Sequence, residues 1–161
     1  MKSEVRRPIG PTRREVVQGV ARELSSQGIE SSRLEAERLV ATVLDVKPSD
    51  LLDQGGVQLD PATAGRVAMA VARRLNGEPL QHIEGTAEFR SIELISDTRA
   101  LIPRPETEEL VDYIEDWIGN RAPINRALDI GTGSGAIALA LLDEGLVSHV
   151  VGLDVSQEAL A

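Results

Sequence analysis

The run Asp129-Ile-Gly-Thr-Gly-Ser-Gly135 places glycines at 131, 133 and 135, with a carboxylate two residues ahead of the first. Glycines in such a run let a backbone approach a ligand closely, and a helix starting just after them offers N–H groups without intrahelical partners. Asp154 closes a second apolar run further along. A carboxylate in that place can accept hydrogen bonds from both hydroxyls of a ribose. The chemistry suggested is nucleoside binding. Gly131-x-Gly133-x-x-Ala136 also satisfies the permissive dinucleotide fingerprint. Two details turn the reading toward S-adenosyl-L-methionine. The glycines recur at every second position, and Asp129 could meet an ammonium but would repel a pyrophosphate. The cofactor-binding candidates are therefore Asp129, Gly131, Thr132, Gly133, Ser134, Gly135 and Asp154. His149, within the second apolar run, is expected to pack or to lie at an edge rather than to bind.

These residues need elements to hold them. Ala127–Ile130 reads as a strand, the alanine-rich run Ala136–Leu142 as a helix, and Val147–Leu153 as a second strand ending on the acid. The order is strand, glycine turn, helix, strand, carboxylate, and Ser156–Leu160 is expected to begin the next helix. Upstream lies Leu101-Ile-Pro-Arg-Pro-Glu-Thr-Glu-Glu109, where Pro103 and Pro105 fix φ and hold the chain extended. Leu110, Val111, Ile114, Trp117 and Ile118 follow at helical spacing up to Gly119, and the acids of the first turns suit the positive end of the helix dipole. That dipole does not explain the rigid Pro-Arg-Pro, so Pro103, Arg104, Pro105 and Thr107 are expected to line the pocket. Residues 80–95 favour β-structure: Leu80–Ile83, a turn at Gly85-Thr86, then Ala87–Ile95.

The first half reads as helices. Thr12-Arg-Arg-Glu15 has the capping-box pattern, with Val16, Val17, Val20 and Leu24 behind it and Gly28 as the stop. Ser32-Arg-Leu-Glu35 repeats the pattern ahead of Leu39, Val40, Val43 and Leu44. Ser49–Gln54 has room for a turn or two of helix. Asp60 then reads as an N-cap with Pro61 at the first helical position, and Val67, Val71 and Leu75 carry that helix to Asn76-Gly77. The stripes hold apolar side chains only, so they are read as core. Short links between them predict a small bundle.

Composition removes several function classes. The 161 residues include no Cys and two His, which excludes thiolate metal sites and disulfides and disfavours any metal centre. A net charge of −9 and three aromatic side chains argue against nucleic acid as a direct partner. No apolar run is long enough to span a bilayer, no signal-peptide pattern opens the chain, and a cytoplasmic location is expected. Residues 1–14 alone carry +4, from Lys2, Arg6, Arg7, Arg13 and Arg14 against Glu4, and residues 1–11 are expected to form a mobile basic tail.

Asp129-Ile-Gly-Thr-Gly-Ser-Gly135 resembles motif I of class I S-adenosylmethionine methyltransferases. With Gly77-Glu-Pro-Leu-Gln-His-Ile83, Gly85-Thr-Ala-Glu-Phe89 and Leu101-Ile-Pro-Arg-Pro-Glu-Thr-Glu108, the chain is similar to the PrmC/HemK protein-(glutamine-N5) methyltransferases of peptide chain release factors. Leu34-Glu-Ala-Glu-Arg-Leu39 matches the texture of that family's second helix. The resemblance covers about residues 12–161. It implies an α plus α/β chain: a helical bundle over 12–76 that helps recognise the release factor, a β-hairpin linker over 77–100, and over 101–161 the start of a Rossmann-like methyltransferase domain. It also implies methyl transfer from S-adenosyl-L-methionine to the side-chain amide of Gln in the release factor's Gly-Gly-Gln loop. The family's substrate-binding Asn-Pro-Pro-Tyr is absent. Asn occurs only at 76, 120 and 125, and no Pro-Pro pair exists. No catalytic residue is therefore assigned, and the chain is expected to be the inactive N-terminal portion of a longer protein, because 36 residues from Arg126 onward cannot close a doubly wound sheet. Two other readings remain: a non-catalytic module that binds release factors, and a fragment of a nicotinamide-dependent oxidoreductase.

Overall fold

The computed structural model describes residues 10–119 and 123–161, which fall into two compact units divided between Glu84 and Gly85. Most of the stretch expected as a basic tail, residues 1–11, lies outside the described residues.

The first unit is all helix. Thr12 caps α1 (Arg13–Ser26) through the expected box: its hydroxyl accepts the Glu15 N–H at 3.3 Å, and the Glu15 carboxylate accepts the Thr12 N–H at 2.8 Å. The second box differs from expectation. Ser31, not Ser32, precedes α2 (Ser32–Leu44), and its hydroxyl donates to Glu35 Oε1 at 3.0 Å instead of capping a backbone N–H. Glu35 is drawn away because Arg74 forks onto the same carboxylate at 2.6 and 3.2 Å. A short α3 (Pro48–Asp53) leads to α4 (Pro61–Leu75), where Asp60 accepts the N–H groups of Ala62 and Thr63 at 3.0 Å each, with Pro61 in the first turn. Leu24, Ala36, Leu39 and Val40 are fully buried, joined by Val20, Leu51, Val67 and Val71.

Residues 80–83 are helix, not strand, which corrects the β-reading of this stretch: α5 spans Leu80–Glu84. The Pro79 carbonyl accepts the N–H groups of His82 and Ile83, starting the turn. Leu80 and Ile83, three residues apart, both enter the helical core. Arg38 of α2 then grips Glu84 with two hydrogen bonds of 2.7 and 2.5 Å.

The second unit mixes helices with two small sheets. β1 (Thr86–Phe89) and β2 (Ile92–Ile95) form an antiparallel hairpin, with Phe89 opposite Ile92. Its turn is Arg90-Ser91 rather than Gly85-Thr86, and Arg90 takes φ +53°. Ion pairs hold that costly conformation. The Arg90 N–H donates to Glu108 at 3.0 Å, and its guanidinium reaches Asp112 at 2.5 Å and both carboxylate oxygens of Glu144. After α6 (Pro105–Ile118) come β3 (Ala127–Ile130), α7 (Ala136–Asp143) and β4 (Val150–Leu153). The two strands pair in parallel, from Ala127 opposite Val150 to Ile130 opposite Leu153. Phe89, Leu94, Val111, Ala140, Leu141 and Val147 form this unit's core. Residues 156–160 make turns instead of the expected helix. Ser156 Oγ accepts the Ala159 N–H at 3.2 Å, as a cap would, but the stretch buries no apolar face to offset the cost of nucleation. Among the described residues no helix is long and apolar enough to cross a membrane.

Candidate functional site

β3 ends at Ile130, and the chain must then turn back onto α7 within five residues, Gly131–Gly135. The turn is possible because Gly131, Gly133 and Gly135 take φ values of +79°, +54° and +79°, where a Cβ would be strained. The Leu153 carbonyl, at the end of β4, accepts the N–H groups of both Gly131 and Thr132 at 2.7 and 2.9 Å. Gly135 donates to the Thr132 carbonyl at 2.8 Å and serves as the N-cap of α7. The turn is thus sewn to the C-terminal ends of both strands, and the first N–H groups of α7 face it.

Two carboxylates flank the turn. Asp129 Oδ2 accepts the Thr132 hydroxyl at 2.7 Å. Asp154 Oδ2 accepts the Gly133 N–H at 2.8 Å and its Oδ1 accepts the Ser156 N–H at 2.9 Å. The Ser156 and Gly133 N–H groups hold the Asp154 carboxyl below the usual carboxylate range, so it is ionised at neutral pH. Each oxygen keeps a free lone pair that could accept a hydroxyl. An anionic pyrophosphate would meet both charges; a diol and an ammonium would each find an acceptor. The donor set therefore fits a nucleoside that carries a cationic amino-acid group better than a dinucleotide.

The structure brings Asp129, Gly131, Thr132, Gly133, Gly135 and Asp154 into one hydrogen-bonded turn, with Ser134 half-buried inside it. It does not draw Pro103, Arg104, Pro105 and Thr107 into that set. Pro103 and Arg104 lead into α6 and Pro105 and Thr107 lie in its first turn, where the Thr107 N–H donates to the Arg104 carbonyl at 2.9 Å, and the exposed Arg104 guanidinium makes no ion pair among the described residues. A cleft of about 350 Å³ that Asp129 borders is lined from α6 by Leu110, Ile114 and Trp117. His149, just ahead of β4, is exposed rather than packed, its ring Nδ1 3.4 Å from the Asn125 carbonyl, and takes no part in the turn's hydrogen bonds. Among the described residues no three His, Asp or Glu side chains group as a metal would need. Sequence reasoning passed over Gly152. It stands opposite Asp129 in the parallel pair, and a Cβ there would lie 2.9 Å from Thr132 Oγ1. Its place two residues before Asp154 was the available signal.

Residues 15–85 match the PrmC N-terminal domain. The chain is 37% identical over 146 residues to the release factor glutamine methyltransferase of Deinococcus radiodurans, covering 91% of this chain and 52% of that protein. It is 40% identical over 147 residues to the enzyme of the same name from Streptomyces coelicolor, covering 91% of this chain and 50% of that protein. For the Vibrio cholerae counterpart the identity is 40% over 138 residues, covering 85% and 47%. Residues 15–85 thus carry the PrmC N-terminal domain, and most of the chain is similar to release factor glutamine methyltransferases. It spans about half the length of the curated relatives it matches.

Proposed function

We propose that this chain supplies the release-factor-recognising and methyl-donor-binding parts of a cytoplasmic S-adenosyl-L-methionine-dependent protein-(glutamine-N5) methyltransferase. In this reading the helical unit, extended from 12–76 to Glu84 by α5, docks the release factor, the hairpin that follows links, and 101–161 begin a Rossmann-like domain. The observation that carries it is the pair of carboxylates on the glycine turn, Asp129 and Asp154, in a chain similar to release factor glutamine methyltransferases. Asp154 would take the ribose hydroxyls, Asp129 the donor's ammonium, and Gly131, Thr132, Gly133, Ser134 and Gly135 would let the backbone close on it. The bound donor supplies a methyl group made electrophilic by its sulfonium. The amide nitrogen of Gln is a poor nucleophile, so the protein's task is to position it. No residue of this chain is assigned to that step. Pro103, Arg104, Pro105 and Thr107 are proposed to wall the site in the working enzyme.

Equilibrium dialysis of the chain against labelled S-adenosyl-L-methionine and, in parallel, labelled NAD tests the reading. Retention of the methyl donor with a dissociation constant of about 1 mM, and no retention of NAD, is expected. Preferential retention of NAD would reverse it in favour of a nicotinamide-dependent oxidoreductase fragment. In a second reading the helical bundle, which closes a core of its own, and the hairpin dock a release factor without chemistry. Binding of a release factor by residues 1–100 alone, with no retention of the methyl donor by the whole chain, would support it.

A further inference from the structure

The parallel register sets Asp129 directly opposite Gly152, so any side chain at 152 would stand on the same face of the strand pair as the Asp129 carboxylate. Thr132 occupies that space instead. An added Cβ at 152 would lie 2.9 Å from Thr132 Cγ2 and 2.9 Å from its Oγ1, closer than real Cβ atoms approach any neighbour, and 3.1 Å from its Cβ, a tight contact. Thr132 cannot easily withdraw, because its N–H is bonded to the Leu153 carbonyl at 2.9 Å and its own carbonyl accepts Gly135 at 2.8 Å. From this slot its hydroxyl donates to Asp129 Oδ2 at 2.7 Å, while Oδ1 makes no hydrogen bond among the described residues.

We propose that Gly152 is a positioning residue: its missing side chain leaves the slot from which Thr132 holds one oxygen of Asp129, so that the other is presented to the ammonium of an amino-acid-bearing nucleoside. The inference rests on the nucleoside reading of the turn and extends it to selectivity. Asp154 and the glycines serve any adenine nucleoside; the Gly152–Thr132–Asp129 arrangement distinguishes one that carries a charged amino-acid tail. A charge-assisted contact of this kind contributes about tenfold or more in affinity.

The test is a double-mutant cycle with two labelled probes. S-adenosylhomocysteine carries the ammonium; 5′-methylthioadenosine has the same nucleoside thioether without the amino acid. Dissociation constants are measured by dialysis for the unaltered chain, Gly152→Ala, Thr132→Ala and the double variant. Gly152→Ala is expected to weaken S-adenosylhomocysteine about tenfold and 5′-methylthioadenosine less than twofold. Once Thr132 is already Ala, adding Gly152→Ala should cost little more, since both changes remove the same contact. Equal weakening of the two probes, or full additivity in the cycle, would overturn the role of Gly152 and leave the nucleoside site standing. Failure of the unaltered chain to bind either probe would overturn the reading of the turn itself, and this proposal with it. Amide spectra of the four proteins keep folding separate from binding. A Gly152→Ala chain that keeps the Thr132–Asp129 geometry would overturn the packing argument without any ligand.

Discussion

The helical unit and the unit after it bury their apolar residues very differently. In the first, Leu24, Ala36, Leu39 and Val40 have no exposed surface. In the second, Ile130 is 78% exposed, Leu101 76% and Val151 57%, and Trp117 and Tyr113 are exposed as well. Helices satisfy their backbone locally, so a few short ones can close a core by turning one stripe inward. A parallel pair of strands has two faces and two edges to cover, and such sheets are ordinarily buried on both faces. The candidate site lies wholly in the second unit. The candidate site thus lies in the unit that leaves more of its strand surface exposed.

The sharpest way to break that contrast is to cut the helical unit in two places. A fragment ending at Glu84 should melt cooperatively, whereas one ending at Gly77 loses Leu80 and Ile83 from the core. Each buried side chain contributes about 1.5–3 kcal/mol, so the shorter fragment should be about 3–6 kcal/mol less stable. Equal melting of the two would show that α5 is peripheral. In the second unit the largest single effect should come from Arg90→Ala, which strips the hydrogen-bonded partner from Glu144 and Asp112. About 2 kcal/mol is expected. Amide exchange should quicken in the hairpin and not in α1–α4.

Thr12→Ala removes the cap of α1 and should cost about 1 kcal/mol in urea denaturation of the helical unit. Acid separates the units less strongly. Burial alone would raise the Glu35 carboxyl, but hydrogen bonds from Arg74 and Ser31 outweigh it and hold the group below its ordinary value of 4.5. A carboxyl lowered in the folded state stabilises fully above its unfolded value and loses that contribution as pH falls through the folded one. The helical unit should therefore lose stability as pH drops below about 4.5, and Glu35→Gln should flatten this dependence. The smallest change should come from the exposed sheet face, where Leu128→Asn should shift stability by no more than about 0.5 kcal/mol.

Much of this was legible in the residues. Thr12 with Glu15 and Asp60 with Pro61 mark two helix starts because the capping partners are neighbours in sequence. The glycine run was equally readable, since a turn needing three positive φ values leaves few alternatives. What escaped depends on partners far along the chain. Leu80–Glu84 is fixed as a helix partly by Arg38, forty-six residues away. The hairpin turn at Arg90-Ser91 has no turn-forming dipeptide and relies on Glu108, Asp112 and Glu144. Ser32 failed as a cap because Glu35 answers to Arg74. Gly152 gains its meaning only from the register that sets it opposite Asp129.

The central claim is that the turn between β3 and α7 takes the nucleoside of a methyl donor. Titrating the isotopically labelled chain with S-adenosylhomocysteine while following its backbone amides tests this most directly. Saturable shifts centred on Gly131, Gly133, Gly135 and Ser156, with half-saturation at about 1 mM and loss of the response in Asp154→Ala, are predicted. Shifts confined to residues 10–84, or an Asp154→Ala chain that responds like the unaltered one, would contradict it.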